Sequence, residues 1–271
     1  GSGGQDREGF SSGLDIGTHE ILDRLTREGF LVLRVDDRGV GDSTGPLEDL
    51  TFDDLCADGR RALRFLMARP DVDAARVALI GHSEGGVSAP VLAASEPVAA
   101  VVLMAAPARP LEDLLLEQLA AARKASGAEP EELASFTREF DGFVAAIARG
   151  EALAAGGLAP ELAAFLPARA WVASHLGRDP LPFVTALRCP ILIAQGGRDV
   201  QVSAERDAHR LLAALDAAEH ADHELALFPE LDHLFKLAGD PPSELDYLKA
   251  RPVDAVFLDE LVAWLRARLM P

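Results

Sequence analysis

The 271-residue chain predicts an α/β fold: a mostly parallel central sheet flanked by helices and carrying an all-helical cap. Five short runs are nearly continuous in apolar residues, as strands covered on both faces should be. Longer stretches of helical pattern alternate with these runs, which is the signature of βαβ units. The alternation fails once, over residues 107–187, where the chain is rich in Ala, Leu and Glu and holds no strand-like run.

In chain order, helix is expected over 17–28 and strand over 30–35 (FLVLRV). Helix follows over 51–68, strand over 77–80 (VALI), helix over 87–94 and strand over 99–104 (AVVLM after Ala99). Gly and Pro then divide 107–187 into three or four helices, with Leu111, Leu114, Leu115 and Leu119 forming one stripe. The sheet resumes with strand over 190–194, helix over 204–215 and strand over 224–228. A last helix spans 253–269, where Val256, Leu258, Leu261, Val262, Trp264 and Leu265 recur at helical spacing and make a docking face. The expected organisation is therefore a first core part over 1–106, a helical cap over 107–187 and a second core part over 188–271.

A formal charge of −18 argues against nucleic acid or an anionic membrane surface as a partner, because both would repel it. No run approaches the roughly 20 apolar residues of a membrane span. Cys56 and Cys189 are too few for a disulfide framework or a metal cluster, and buried thiols are expected. His220, Asp222 and His223 resemble a metal cluster only superficially, since they lie in a short polar connection ahead of a strand. No metal and no cofactor is expected.

The chemistry is concentrated in Gly81-His82-Ser83-Glu84-Gly85, which follows an apolar run and precedes a helical stretch. A tight strand-to-helix turn lifts a serine hydroxyl off the end of a sheet. Glycines at 81 and 85 would remove Cβ atoms that crowd such a turn. The following helix would aim N–H groups at a developing oxyanion, the Glu84 N–H first among them. A nucleophilic serine needs a base, and the base needs an acid to fix its tautomer. Asp199 lies just past the strand at 190–194, and His233 a few residues past the strand at 224–228. The order Ser83, Asp199, His233 is that of the α/β-hydrolase arrangement. His82 is expected to line a pocket or to pack beneath the turn.

Four stretches together resemble the α/β-hydrolase superfamily. They are Asp36-Asp-Arg-Gly-Val-Gly-Asp-Ser-Thr-Gly45, the Ser83 turn, Gly197-Arg-Asp-Val-Gln-Val202 and Leu231-Asp-His-Leu-Phe235. More narrowly, the chain resembles bacterial esterase-like members, dienelactone-hydrolase-like or serine-aminopeptidase-like. The resemblance implies Ser83 as nucleophile, Asp199 as orienting acid and His233 as base. It also makes the opening Gly1-Ser-Gly-Gly-Gln-Asp-Arg-Glu-Gly9 similar to the family's oxyanion loop, with the Ser2 N–H as second donor and Gly3 nearby. That loop follows the family's third strand, which lies between the fourth and fifth. Its absence would leave a gap between 30–35 and 77–80, and an N-terminal companion fragment completing the sheet is expected. The implied activity is cleavage of a small-molecule ester or acyl substrate. The alternatives are a peptidase or amidase on the same three residues and a non-catalytic binding or signalling protein on a hydrolase scaffold.

Overall fold

The structure, a computed structural model, describes residues 3–11, 14–46 and 49–270. A two-stranded antiparallel ribbon of β1 (Phe10–Ser11) and β2 (Leu14–Asp15) leads into α1 (Thr18–Arg27) and α2 (Phe52–Met67). The sheet is fully parallel, in the order β3 (Ala78–His82), β4 (Ala100–Met104), β5 (Ile191–Gly196) and β6 (His223–Phe228). Helix α3 (Glu84–Ala93) joins β3 to β4. Between β4 and β5 come α4 (Leu111–Ala125), α5 (Pro130–Ala148), α6 (Pro160–Ala163), α7 (Arg169–His175) and α8 (Leu181–Thr185). A π-turn over Ala204–Ala208 opens α9 (His209–Ala217), and α10 (Ala255–Leu269) closes the chain.

Register explains why the strand runs are apolar throughout. Val102 pairs with Ile80 and with Leu192, and successive residues point to opposite faces. Val102, Met104, Leu192 and Ala194 join α1 and α10 in one core, through Leu25, Leu261 and Leu265. Val101, Leu103, Ile191 and Ile193 join α8 and α9 in the other, through Val184, Leu211 and Leu215. With both faces covered, β4 is apolar throughout and β5 is apolar as far as Ala194, with buried Gln195 following.

The chain forms two compact units. One holds the sheet: residues 1–45, 56–108 and 180–271. The other holds residues 46–55 and 109–179 and is helical. Its core is built by α5, where Phe136, Phe140, Phe143 and Ile147 follow a helical stripe onto Leu162 and Val172. Burying each such phenylalanine contributes about 1.5–3 kcal/mol. The expected cap boundaries shift accordingly. Residues 180–187 pack with the sheet because Val184 and Leu187 are buried against its core, and 46–55 joins the helical unit.

Residues 30–35 depart from expectation. They form no strand, although they are as apolar as the others. Among the described residues no backbone hydrogen bond ties 31–35 to a neighbouring strand, and Leu31 and Val35 are 49% and 52% exposed. A cleft of about 400 Å³ separates this segment from β3. Leu25 and Leu269 of α1 and α10 wall it on one side, and Ala62 and Leu66 of α2 on another. An apolar segment becomes a strand only when a partner edge meets its backbone groups, and here none does.

Candidate active site

Ser83 begins the site at the carboxyl end of β3. Its backbone takes φ 55° and ψ −119°, a conformation that costs a non-glycine residue about 1–3 kcal/mol and persists only when its surroundings enforce it. Enforcement is visible on both sides. The Ser83 N–H donates to the Met104 carbonyl at 2.9 Å, and the Gly86 N–H donates to the Ser83 carbonyl at 2.8 Å. The Ser83 side chain stands at the N-cap of α3 yet makes no capping hydrogen bond, so its hydroxyl is not spent on the helix.

The glycines act differently from the simple pattern. A Cβ on Gly81 would lie 2.1 Å from the Gly85 carbonyl oxygen, as a crowded turn requires. Gly85 itself has open space where its Cβ would be. The second indispensable glycine is Gly86, whose Cβ would fall 2.3 Å from the Ala106 Cβ. Crowding on the helix side comes from the loop after β4, not from the turn.

Asp199 and His233 meet, although 34 residues separate them. His233 Nδ1 donates to Asp199 Oδ2 at 2.8 Å, with both side chains almost fully buried. Asp199 Oδ1 accepts from the Gln201 and Val202 N–H groups at 2.8 and 2.9 Å, and Oδ2 also accepts from Gln195 Nε2 at 3.0 Å. Three donors besides the ring hold this buried carboxylate in place for it. Since Nδ1 carries the proton, His233 Nε2 is left as the acceptor. Two glycines let the loops approach: a Cβ on Gly196 would lie 2.5 Å from the Leu231 and Asp232 carbonyl oxygens, and one on Gly197 2.7 Å from that of Pro229.

His82 packs against His233 and Phe235. Its ring lies 4.7 Å from the His233 ring, centre to centre, and its Nε2 is 2.8 Å from the His233 carbonyl oxygen. Burial, and then the neighbouring His233, push its pKa well below the ordinary imidazole value, so the ring is neutral. The Glu84 N–H opens α3, where the helix dipole is positive. Gly3 is exposed, with φ 79°. Ser2 lies outside the described residues. Gln195 and the His82 bond to His233 escaped sequence reading, and only the position of Gln195 at the end of β5 hinted at a role.

His220 is buried, and His223 bonds Asp216 at 2.9 Å. Among the described residues no group of His, Cys, Asp or Glu could hold a metal ion. No helix among them is long and apolar enough to cross a membrane.

A parallel sheet with a strained serine past β3 and a buried histidine–aspartate pair past β5 and β6 defines an α/β-hydrolase architecture. The family model described as serine aminopeptidase S33 matches residues 16–237, and the chain belongs to that family of α/β hydrolases. Esterase EstD of Thermotoga maritima is 29% identical over 247 residues, which cover 91% of this chain and 56% of EstD. The chain thus spans little more than half the length of that curated relative. Among solved structures, the Pyrococcus furiosus esterase Pf2001 is similar with a TM-score of 0.60 at 15% identity, covering 98% of this chain and 78% of its own. A bromoperoxidase from Bacillus anthracis is similar with a TM-score of 0.54 at 18% identity, covering 95% and 90%. At such identities these two likenesses speak for the fold alone.

Proposed function

We propose that the chain carries the reacting groups of a serine hydrolase that cleaves carboxylic esters through an acyl-enzyme. The observation that carries this reading is the buried His233–Asp199 pair, whose geometry leaves His233 Nε2 as the acceptor. In the proposed cycle, Ser83 Oγ attacks the ester carbonyl while His233 Nε2 takes its proton. The oxyanion is met by the Glu84 N–H at the start of α3. Collapse expels the alcohol, which takes the proton from His233. Water then repeats the sequence on the acyl-enzyme, and the carboxylic acid leaves. The esterase name of the relative that covers 91% of this chain supports an ester substrate.

The test is hydrolysis of p-nitrophenyl acyl esters by the chain and its Ser83→Ala variant, with fluorophosphonate labelling alongside. Activity confined to the parent, with the label on Ser83, is expected. Near-normal turnover by Ser83→Ala would refute the assignment. The serine-aminopeptidase description of the matched family favours a second reading, amide cleavage by the same residues. Peptide p-nitroanilides hydrolysed faster than the esters would select it.

The cleft beside β3 supports a companion to this site. Its walls are an unpaired strand edge, an apolar segment without a partner, and helices on further sides. That is the environment of a central strand in a sheet covered on both faces. The Gln5 N–H donates to the Asp37 carboxylate and the Asp37 N–H donates to the Gln5 carbonyl, each at 2.9 Å, so residue 5 lies close to the end of segment 30–35. We propose that an extended apolar strand of a companion segment fills the cleft. Intact mass and N-terminal sequencing of the folded, active protein test this. A single species with the mass of these 271 residues would overturn it.

A further inference from the structure

Resting on the serine-hydrolase reading, we infer that His82 is a positioning residue that ties the main chain of the nucleophile to the main chain of the base. His82 is the last residue of β3 and is bonded covalently to Ser83. A carbonyl oxygen only accepts, so the 2.8 Å contact with the His233 carbonyl makes His82 Nε2 the donor. One peptide bond and one hydrogen bond therefore connect Ser83 to His233, by a route separate from the one that runs through substrate.

The base is then fixed at two ends. Asp199 holds its ring at Nδ1, and His82 holds its main chain at the carbonyl. Next to it, the Asp232 carboxylate accepts from the Leu234 and Lys236 N–H groups and from Arg251, which closes the loop around Phe235. Phe235 takes φ 56°, so this loop is itself held in a conformation it would not choose freely. The His82 ring also packs on the rings of His233 and Phe235, at 4.7 and 6.4 Å. Without the His82 donor, the His233 carbonyl loses this partner and the loop one of its ties to β3. Displacement of the base by an ångström is enough to cost catalysis about 100-fold.

A glutamine can place its Nε2 where the imidazole Nε2 stands, whereas phenylalanine fills the ring volume without a donor. His82→Gln should retain kcat within a few-fold of the parent. His82→Phe should lose about 10- to 100-fold in kcat with KM little changed. The downfield proton signal of His233 Nδ1 bonded to Asp199, followed by NMR, should survive in His82→Gln and broaden or shift in His82→Phe. A role in packing alone would spare both variants' kcat and leave that signal unmoved in His82→Phe, and this outcome overturns the inference. If His82→Phe fails to fold, His82→Asn replaces it, because its shorter amide does not reach the His233 carbonyl. Equal activity of the Asn and Gln variants then overturns it as well. Failure of the underlying reading is distinguishable, because it shows as activity in Ser83→Ala whatever residue stands at position 82.

Discussion

Replacing Gly86 by alanine puts a methyl carbon 2.3 Å from the Ala106 Cβ and 3.0 Å from its Cα. Ordinary contact lies beyond 3.4 Å, so α3 and the loop after β4 must separate by about an ångström. No flexible side chain can absorb the shift, because Ala106 is buried and the second contact is backbone. Overpacking of this kind costs about 1–3 kcal/mol. Its neighbour supplies the control. Gly85→Ala meets nothing within 4 Å and exchanges a helical glycine for alanine, a gain of up to about 1 kcal/mol. Gly86 lies in the same helix and shares that gain, so the two substitutions should differ by the overpacking alone, about 1–3 kcal/mol, with Gly86→Ala the less stable. Urea unfolding followed by fluorescence measures this, in a Trp171→Phe background where Trp264 alone reports on the sheet unit. With m of about 2–3 kcal/mol/M, the two midpoints should lie about 1 M apart. Equal midpoints, or a lower one for Gly85→Ala, would refute the steric argument for Gly86.

Two further predictions follow from the buried polar groups. Asp199→Asn should lower kcat by about 10³- to 10⁴-fold with little change in KM, because the amide no longer fixes the His233 tautomer; ester assays at saturating substrate check it. Stability should rise with pH through the window below about 6.5 and level above it. His82 and His220 are held below the ordinary imidazole value, each chiefly by burial, so the unfolded chain binds more protons there. His82 alone contributes at most about 1.4 kcal/mol per pH unit. Urea midpoints from pH 8 to pH 5 should fall, and should fall less in His82→Gln; a flat profile in the parent would contradict the burial argument.

The sheet was legible because its strands are covered on both faces, which makes each a continuous apolar run. Residues 30–35 carry the same signal and form no strand, since pairing depends on a neighbour that the local sequence does not encode. Asp199 and His233 were legible through their places just past two strands, where a parallel sheet collects its functional groups. Other features depend on where two distant loops come to rest. The G-x-S-x-G spacing marks Gly85, yet Ala106 presses on Gly86. The bond from His82 to a backbone carbonyl 151 residues away leaves no trace in composition or periodicity. Gln195 is equally silent: its amide reaches Asp199 only because β5 ends where the acid loop turns back.

The unpaired edge of β3 also bears on how the protein behaves in bulk. Were the companion strand to leave the cleft, the β3 edge would become a template on which another copy adds a strand, and such edges drive self-association. The net charge of −18 opposes that encounter by long-range repulsion. Salt shortens the reach of this repulsion to about 8 Å at physiological strength and about 3 Å at 1 M. Without that strand, colloidal stability along this flank would be ionic rather than structural, and dilute buffer would be the condition that keeps copies apart.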